Sequence, residues 1–392
     1  MPALRLPSGN LTYTDRHYWL LACHSLPGSS MEQIRLEPLG QVRGEVTLPG
    51  SKSLSNRALL LSGLAVGDTC LTNLLHSDDI EQMLTALRQL GVRIEVNAAG
   101  EQALVHGNGG LFSCPAKSNF FMGNAGTAIR PLTALLSLIP GEFQVDGDEY
   151  MRQRPIQHLV DALKQLGAEI SYGARQGCPP LRIKGGLVQP GKVEVPGSIS
   201  SQYLTALLMA LPLLPGDSTI TVSGEQVSKP YLDITLGIMA AFGVKARHED
   251  YRTFHVQGNS SYQSPGEYLI EGDASSASYF FAAAAIAGGP VKVHGLGRNS
   301  VQGDYKFLDA IEQMGAKVER QETWVQVSRG RLQGVDLDLN HMPDAAMTLA
   351  AMALFADGQT RIRNIYNWRV KETDRMHAMA TELRKLGATV TT

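Results

Sequence analysis

The stretch Ser77–Val96, SDDIEQMLTALRQLGVRIEV, spells a helix followed by a strand. Ser77 takes an N-cap position, and Asp78 and Asp79 suit the positive end of a helix. Ile80, Met83, Leu84, Leu87 and Leu90 fall on one face at helical spacing. Gly91 supplies the left-handed residue that closes the helix. Val92, Ile94 and Val96 then alternate with Arg93 and Glu95, the period of a half-buried strand.

The same order recurs along the chain. The closing glycines are Gly91, Gly167, Gly243, Gly315 and Gly387, at steps of 76, 76, 72 and 72 residues. That period exceeds those of solenoid repeats and implies domain-building units. The fifth copy carries its stripe on Met376, Met379, Leu383 and Leu386. An earlier helix in each unit is apolar nearly all round, as in Leu204–Leu211, Phe280–Ile286 and Met347–Leu354, and such helices are expected to be buried. Small polar groups stand where these helices begin: Ser53 and Ser55, Gly126 and Thr127, Ser200 and Ser201, Ser275 and Ser276, and Asp344. Helix N-termini carry unpaired N–H groups and suit anions, although plain N-capping explains any single copy as well.

A chain of 392 residues exceeds one ordinary core, so two domains are expected. With 43% hydrophobic and 18% charged residues it has a soluble globular composition. No uninterrupted apolar run is long enough to span a membrane. A net charge of -2 argues against a surface that coats nucleic acid, so any phosphate site must be a local cluster of Lys and Arg. Cys23, Cys70, Cys114 and Cys178 form no CxxC or metal spacing, which fits ordinary thiols in a reducing cytoplasm. Residues 1–30 read as an upstream extension, and a strand-like stretch starts near Ile34.

Polar and charged clusters sit at element junctions. Lys52 and Arg57 flank the start of a buried helix in Pro49–Arg57, which lacks the P-loop frame. Gly123–Pro131 is a glycine-rich turn entering a helix, where small residues let a ligand approach the backbone. Arg152 and Arg154 precede another helix. Ser198–Gln202 and Ser228–Tyr231 offer hydroxyl, amide and phenol groups suited to a polyhydroxylated ligand. Asn367–Arg375 mixes charges of both signs, a pattern that usually marks an exposed face.

Taken together these segments resemble the bacterial 5-enolpyruvylshikimate-3-phosphate synthase family. The resemblance runs from about Met31 to Thr392. It rests on LPGSKSLSNRALLL at Leu48–Leu61, GNAGTAIRPL at Gly123–Leu132, RPIQHLVDAL at Arg154–Leu163 and SISSQYLTALLMA at Ser198–Ala210. It continues with VSKPYLDITL at Val227–Leu236, EGDASSASYF at Glu271–Phe280, MPDAAMT at Met342–Thr348 and RNIYNWRVKETDR at Arg363–Arg375. It implies an α/β enolpyruvyl transferase fold: a two-domain inside-out α/β barrel of repeated βαββαβ units. Residues 51–270 would form a three-repeat domain, and residues 31–50 plus 271–392 the second.

The activity implied is transfer of the enolpyruvyl group of phosphoenolpyruvate to the 5-hydroxyl of shikimate 3-phosphate, with release of phosphate. The resemblance places shikimate 3-phosphate on Lys52, Ser53, Arg57, Ser200, Ser201, Gln202, Ser228, Tyr231, Asp344, Asn367 and Lys371. It places phosphoenolpyruvate on Lys52, Asn124, Gly126, Arg154, Gln202 and Arg375. Asp344 would accept the hydroxyl proton, Lys371 and Glu372 would carry proton traffic around the enol carbon, and Lys52 is a further catalytic residue on the family pattern. No metal or organic cofactor is implied. A cytoplasmic monomer without nucleic-acid or membrane partners is expected, and Gly126, Thr127, Ala128 and Pro131 match the glyphosate-sensitive pattern.

The family's later Asn-Asp-His-Arg motif and distal Lys lie beyond Thr392. The last unit is therefore expected to be incomplete, with impaired turnover, weakened phosphoenolpyruvate binding and low solubility. Two other readings remain: a catalytically dead ligand-binding fragment, and the sister transferase acting on UDP-N-acetylglucosamine. The sister family has Asn after its first site Lys and a loop Cys. Here Ser53 follows Lys52, and no Cys stands in a matching loop.

Overall fold

The computed structural model describes residues 40–113, 115–371 and 373–392. The upstream extension, the strand-like stretch near Ile34, Cys23, Cys114 and Glu372 lie outside the described residues.

Ten α-helices organise the described residues: α1 (Lys52–Leu64), α2 (Asp78–Gln89), α3 (Gly126–Leu138), α4 (Gln157–Gln165), α5 (Ser201–Ala210), α6 (Pro230–Ala241), α7 (Ala274–Ala287), α8 (Phe307–Met314), α9 (Ala346–Met352) and α10 (Arg375–Lys385). Each amphipathic helix ends as its sequence dictates. Gly91, Gly167, Gly243, Gly315 and Gly387 all have φ between 80° and 110°, a region open to glycine without steric cost. Ser77 does stand at the N-cap of α2 with extended backbone, but its hydroxyl makes no capping bond. Asp78, Asp79 and Glu81 in the first turn supply the negative charge there instead.

Four four-stranded sheets share one plan. A strand, a helix and a second, parallel strand are followed by a helix and an antiparallel hairpin whose last strand pairs beside the second. In the second unit this is Lys117–Phe121, Gly141–Asp146, Leu181–Gly185 and Glu169–Tyr172, in that spatial order. Strand side chains alternate buried and exposed, as along Leu181–Gly185. The sheets therefore cover helices that lie inside, the inside-out arrangement of the fold. No sheet among the described residues closes on itself. The fifth unit contributes two parallel strands, Asp336–Asp338 and Arg361–Arg363.

Two units exchange a strand. Val42–Thr47 precedes α1 yet pairs with Gly288–His294 of the fourth sheet. Glu267–Leu269 precedes α7 yet pairs with Asp68–Thr72 of the first. Two hydrophobic cores result, one built from Leu54 to Ile270 and one from Leu48 with Ala274 to Trp368. The two crossing segments run side by side: Ser51 N–H donates to Glu271 O at 2.8 Å and Asp273 N–H to Pro49 O at 3.0 Å. A Cβ on Gly50 would lie 1.9 Å from the Asn73 carbonyl oxygen, so only glycine fits this crossing. The crossing thus starts α1 and α7 next to each other, between the lobes.

Burial of the central helices differs between the lobes. In the first, every residue of Leu54–Leu64 and of Ala128–Leu138 is buried. In the second, the expectation of all-round burial fails: Phe280 is 38% exposed and Leu354 37%. The described elements cover one face of α7 and α9 and leave the other open. The stripe of α10 is likewise shallow. Of its residues only Ala380 is fully buried, Met376 and Met379 are partly so, and Leu386 just beyond is exposed.

Candidate active site

Between the lobes lies a cleft of about 310 Å³. It is walled by the starts of α1, α3, α5, α6 and α7 and by the segments leading into α9 and α10. The structure answers what spacing alone cannot: the N-terminal turns of the central helices converge. Side chains tie them together there. Asn56 Nδ2 donates to Thr127 Oγ1 at 2.8 Å, and Arg57 Nε to Thr235 Oγ1 at 3.0 Å. Arg130 Nη1 donates to Gln202 Oε1 at 2.5 Å.

On the first-lobe wall, Lys52, Ser53, Arg57, Ser200, Ser201, Gln202, Ser228 and Tyr231 all line the cleft. Arg57 is 4% exposed. Its acceptors among the described residues are uncharged: Ser53 O, Thr205 Oγ1 and Thr235 Oγ1. Burial pushes its pKa down to about 10, leaving it a cation at neutral pH. Lys52 is half-exposed, 3.4 Å from Asp79. Ser200 caps α5, its hydroxyl accepting from Gln202 N–H. Ser228 has φ 54°, a conformation rare for a residue with a side chain, and such residues gather at functional sites.

Arg152 and Arg154 part company. Arg152 lies on the surface in a bidentate contact with Asp146. Arg154 is 7% exposed, lines the cleft, and donates to the carbonyl and side-chain oxygens of Asn124, both at 2.9 Å. Asn124 and Gly126 stand behind this cation and do not line the cleft themselves. A Cβ on Gly126 would lie 2.5 Å from Arg130 Nη1 and 2.6 Å from Arg154 Nη2. The glycine therefore makes room first for two guanidinium groups.

On the second-lobe wall, Asp344, Asn367, Lys371 and Arg375 line the cleft. Arg375 donates to Asp344 Oδ1, Lys371 Nζ lies 3.9 Å from the same oxygen, and Tyr231 OH donates to Asp344 Oδ2 at 2.5 Å. Burial opposes charge on Asp344, yet Lys371 and Arg375 hold its carboxyl well below the usual range. Tyr231, which the resemblance places on shikimate 3-phosphate, uses its hydroxyl on Asp344 across the lobes. Burial and that carboxylate raise its pKa well above the ordinary phenol value. The mixed-charge run before α10 is only partly a solvated face: Arg369 and Thr373 are exposed, but Asn367 is 3% and Trp368 2% exposed, and Trp368 Nε1 donates to Pro343 O. Asn367 Nδ2 reaches Ser228 Oγ at 3.4 Å, while its Oδ1 is buried with no partner among the described residues.

Sequence reasoning missed Arg130, Asp273 and Asp304, which also line the cleft. Arg130 had a signal: a lone charge within an apolar helix needs partners. Asp304, in an ordinary Gln-Gly-Asp turn, had none. Among the described residues no group of His, Cys, Asp and Glu is arranged to hold a metal ion.

A family profile described as EPSP synthase (3-phosphoshikimate 1-carboxyvinyltransferase) matches residues 36–392. The 3-phosphoshikimate 1-carboxyvinyltransferase of Pseudoalteromonas translucida (strain TAC 125) is 58% identical over 360 residues, 92% of this chain and 84% of that protein. That of Klebsiella pneumoniae (strain 342) is 57% identical over the same shares. Among solved structures, an EPSP synthase from Acinetobacter baumannii superposes with a TM-score of 0.75 at 28% identity, covering 88% of this chain and 78% of that one. The enolpyruvyl transferase NikO from Streptomyces tendae, at 16% identity, shares the fold with a TM-score of 0.65 over 83% of this chain and 75% of its own.

Proposed function

The chain belongs to the EPSP synthase (3-phosphoshikimate 1-carboxyvinyltransferase) family, and we propose that the cleft between its lobes is where the enolpyruvyl group of phosphoenolpyruvate is joined to the 5-hydroxyl of shikimate 3-phosphate. The observation that carries this assignment is Arg57, a buried cation in the cleft whose described acceptors are all uncharged. Such a group is suited to an anionic ligand.

Shikimate 3-phosphate lies against the first-lobe wall, with Lys52, Ser53, Arg57, Ser200, Ser201, Gln202 and Ser228 meeting its phosphate and carboxylate. Asn367, whose Oδ1 is an unmet buried acceptor, takes a ligand hydroxyl. Phosphoenolpyruvate is held by Lys52, Gln202, Arg154 and Arg375, with Asn124 and Gly126 setting the position of Arg154. Asp344, kept ionised by its neighbours, accepts the proton of the attacking 5-hydroxyl. Lys371 delivers a proton toward the enol carbon, a role Glu372 shares on the family pattern. Loss of phosphate from the tetrahedral adduct, together with a proton from the methyl group that returns to Lys371 or Glu372, then restores the enol double bond. Clustered cations stabilise charge on the departing phosphate.

No described helix is long and apolar enough to cross a membrane. We take the chain to act as a cytoplasmic monomer on small molecules, without nucleic acid, a reading supported by its near-neutral charge. The test is phosphate release. It should require phosphoenolpyruvate and shikimate 3-phosphate together, and UDP-N-acetylglucosamine should not substitute. Release without the acceptor, or release supported by UDP-N-acetylglucosamine in its place, would refute the assignment.

A further inference from the structure

The cleft holds a carboxyl group that the reaction above does not use. Asp304 lies in the short turn Gly303–Lys306, is 5% exposed and lines the cleft. Its Oδ2 accepts from Ser275 Oγ, and its Oδ1 is buried without a hydrogen-bond partner among the described residues. The segment is clamped to the start of α7. Gln302 donates to Gly272 O at 2.8 Å and to Glu271 Oε2 at 3.1 Å, and accepts from Ala274 N–H at 3.1 Å.

Charged groups face Asp304 from several elements. Asp273 caps α7, Asp344 precedes α9, and Lys371 precedes α10. Tyr231 of α6 senses all three carboxylates. Arg375 acts on Asp344 and Lys52 on Asp273. Lys306 ends the turn that carries Asp304. Burial, then Asp344 and Asp273, push the pKa of Asp304 up to about 7, against Ser275 and Lys371. Asp344 has two cations and a phenol to keep it ionised. Asp304 has one described hydroxyl.

We propose that Asp304 is a positioning residue that takes up a proton when the anionic acceptor binds, relieving repulsion in the cleft while Asp344 stays ionised beside the ligand. This rests on the reading of the cleft as the shikimate 3-phosphate site. An anion brought near carboxyl groups raises the proton affinity of each. The proton comes from solvent and settles on the carboxyl with the fewest donors; only an O–H bond forms. Uptake on binding means that affinity falls as pH rises through the range in which free Asp304 titrates. Ionisation of the ligand's own phosphate is common to parent and variant and cancels in their difference.

Calorimetric titration of the 392-residue chain with shikimate 3-phosphate, in buffers of different ionisation enthalpy, counts the protons. Near neutral pH the parent should take up roughly half a proton per ligand more than Asp304→Asn. From acid to alkaline pH the parent's affinity should fall by up to about tenfold relative to the variant's. Ser275→Ala removes a hydroxyl that favours ionised Asp304, so the midpoint of uptake should move to higher pH. A merely structural role would lower stability and leave the proton count unchanged. Equal uptake by parent and Asp304→Asn overturns the proposal, as does an unmoved midpoint in Ser275→Ala. If Asp304→Asn does not fold, the Ser275→Ala midpoint decides alone. A parent that does not bind shikimate 3-phosphate would instead overturn the assignment of the cleft, and this inference with it.

Discussion

The two walls of the cleft carry similar residues and use them in opposite ways. On the first-lobe wall Arg57 is buried among uncharged acceptors, and its charge is available to a ligand. On the second-lobe wall Arg375 and Lys371 already serve Asp344, so their charge is shared between that carboxylate and a ligand. The first wall is thus a binding surface, preorganised before the ligand arrives. The second is a self-compensated cluster that fixes the protonation of one carboxylate. Composition does not distinguish them, because each wall offers hydroxyls and cations. The difference lies in whether the cation's partner is a dipole or a charge.

The strongest way to break this comparison is to neutralise the carboxylate. Asp344→Asn should lower turnover by about 10²–10⁴, the usual cost of losing a catalytic acid or base, with a much smaller change in acceptor affinity. Near-normal phosphate release would remove Asp344 from the chemistry and leave the second wall without its assigned role.

Next in size is the stability contrast between the two arginines. Arg375→Met strips Asp344 of one cation and should cost about 1–3 kcal/mol in denaturant unfolding. Arg57→Met should stay within about 1 kcal/mol of the parent, since an apolar replacement of a buried charge is often tolerated. Thr205 and Thr235 already bond each other at 3.1 Å and do not depend on Arg57. Equal losses in the two variants would erase the distinction between the walls.

A smaller effect is expected at Gly126. The added methyl of Gly126→Ala meets Arg130 and Arg154 before any ligand, so those guanidinium groups must shift. Phosphoenolpyruvate affinity should fall roughly tenfold, while shikimate 3-phosphate affinity holds. A sequence argument alone places the methyl against the ligand; the structure routes the effect through two cations. Unchanged phosphoenolpyruvate affinity, or equal loss for both ligands, would count against this.

Much of the fold was legible because its signals are local. The five glycines at positive φ and the stripe of α2 follow from helical periodicity and the freedom of glycine. What local patterns could not show was which elements share a surface. Phe280 and Leu354 look as apolar as Leu60, yet exposure depends on neighbours that periodicity does not name. Most of the site was readable only through resemblance of ordered motifs, since Lys52, Ser200 and Asn367 taken singly fit capping or solvated turns. Arg152 and Arg154 show the limit: two residues apart, one binds Asp146 on the surface and the other faces the cleft. Asp304 was invisible because its character comes from burial beside Asp344 and Asp273, residues distant in sequence or unremarked there.

The central claim, that the first wall keeps a cation for the ligand, is tested most directly at Arg57. Calorimetric titration of folded Arg57→Met with shikimate 3-phosphate, in the absence of phosphoenolpyruvate, should show affinity lowered by roughly ten- to a hundredfold, the worth of a charge-assisted hydrogen bond. Parent-like affinity in a folded Arg57→Met would contradict the account.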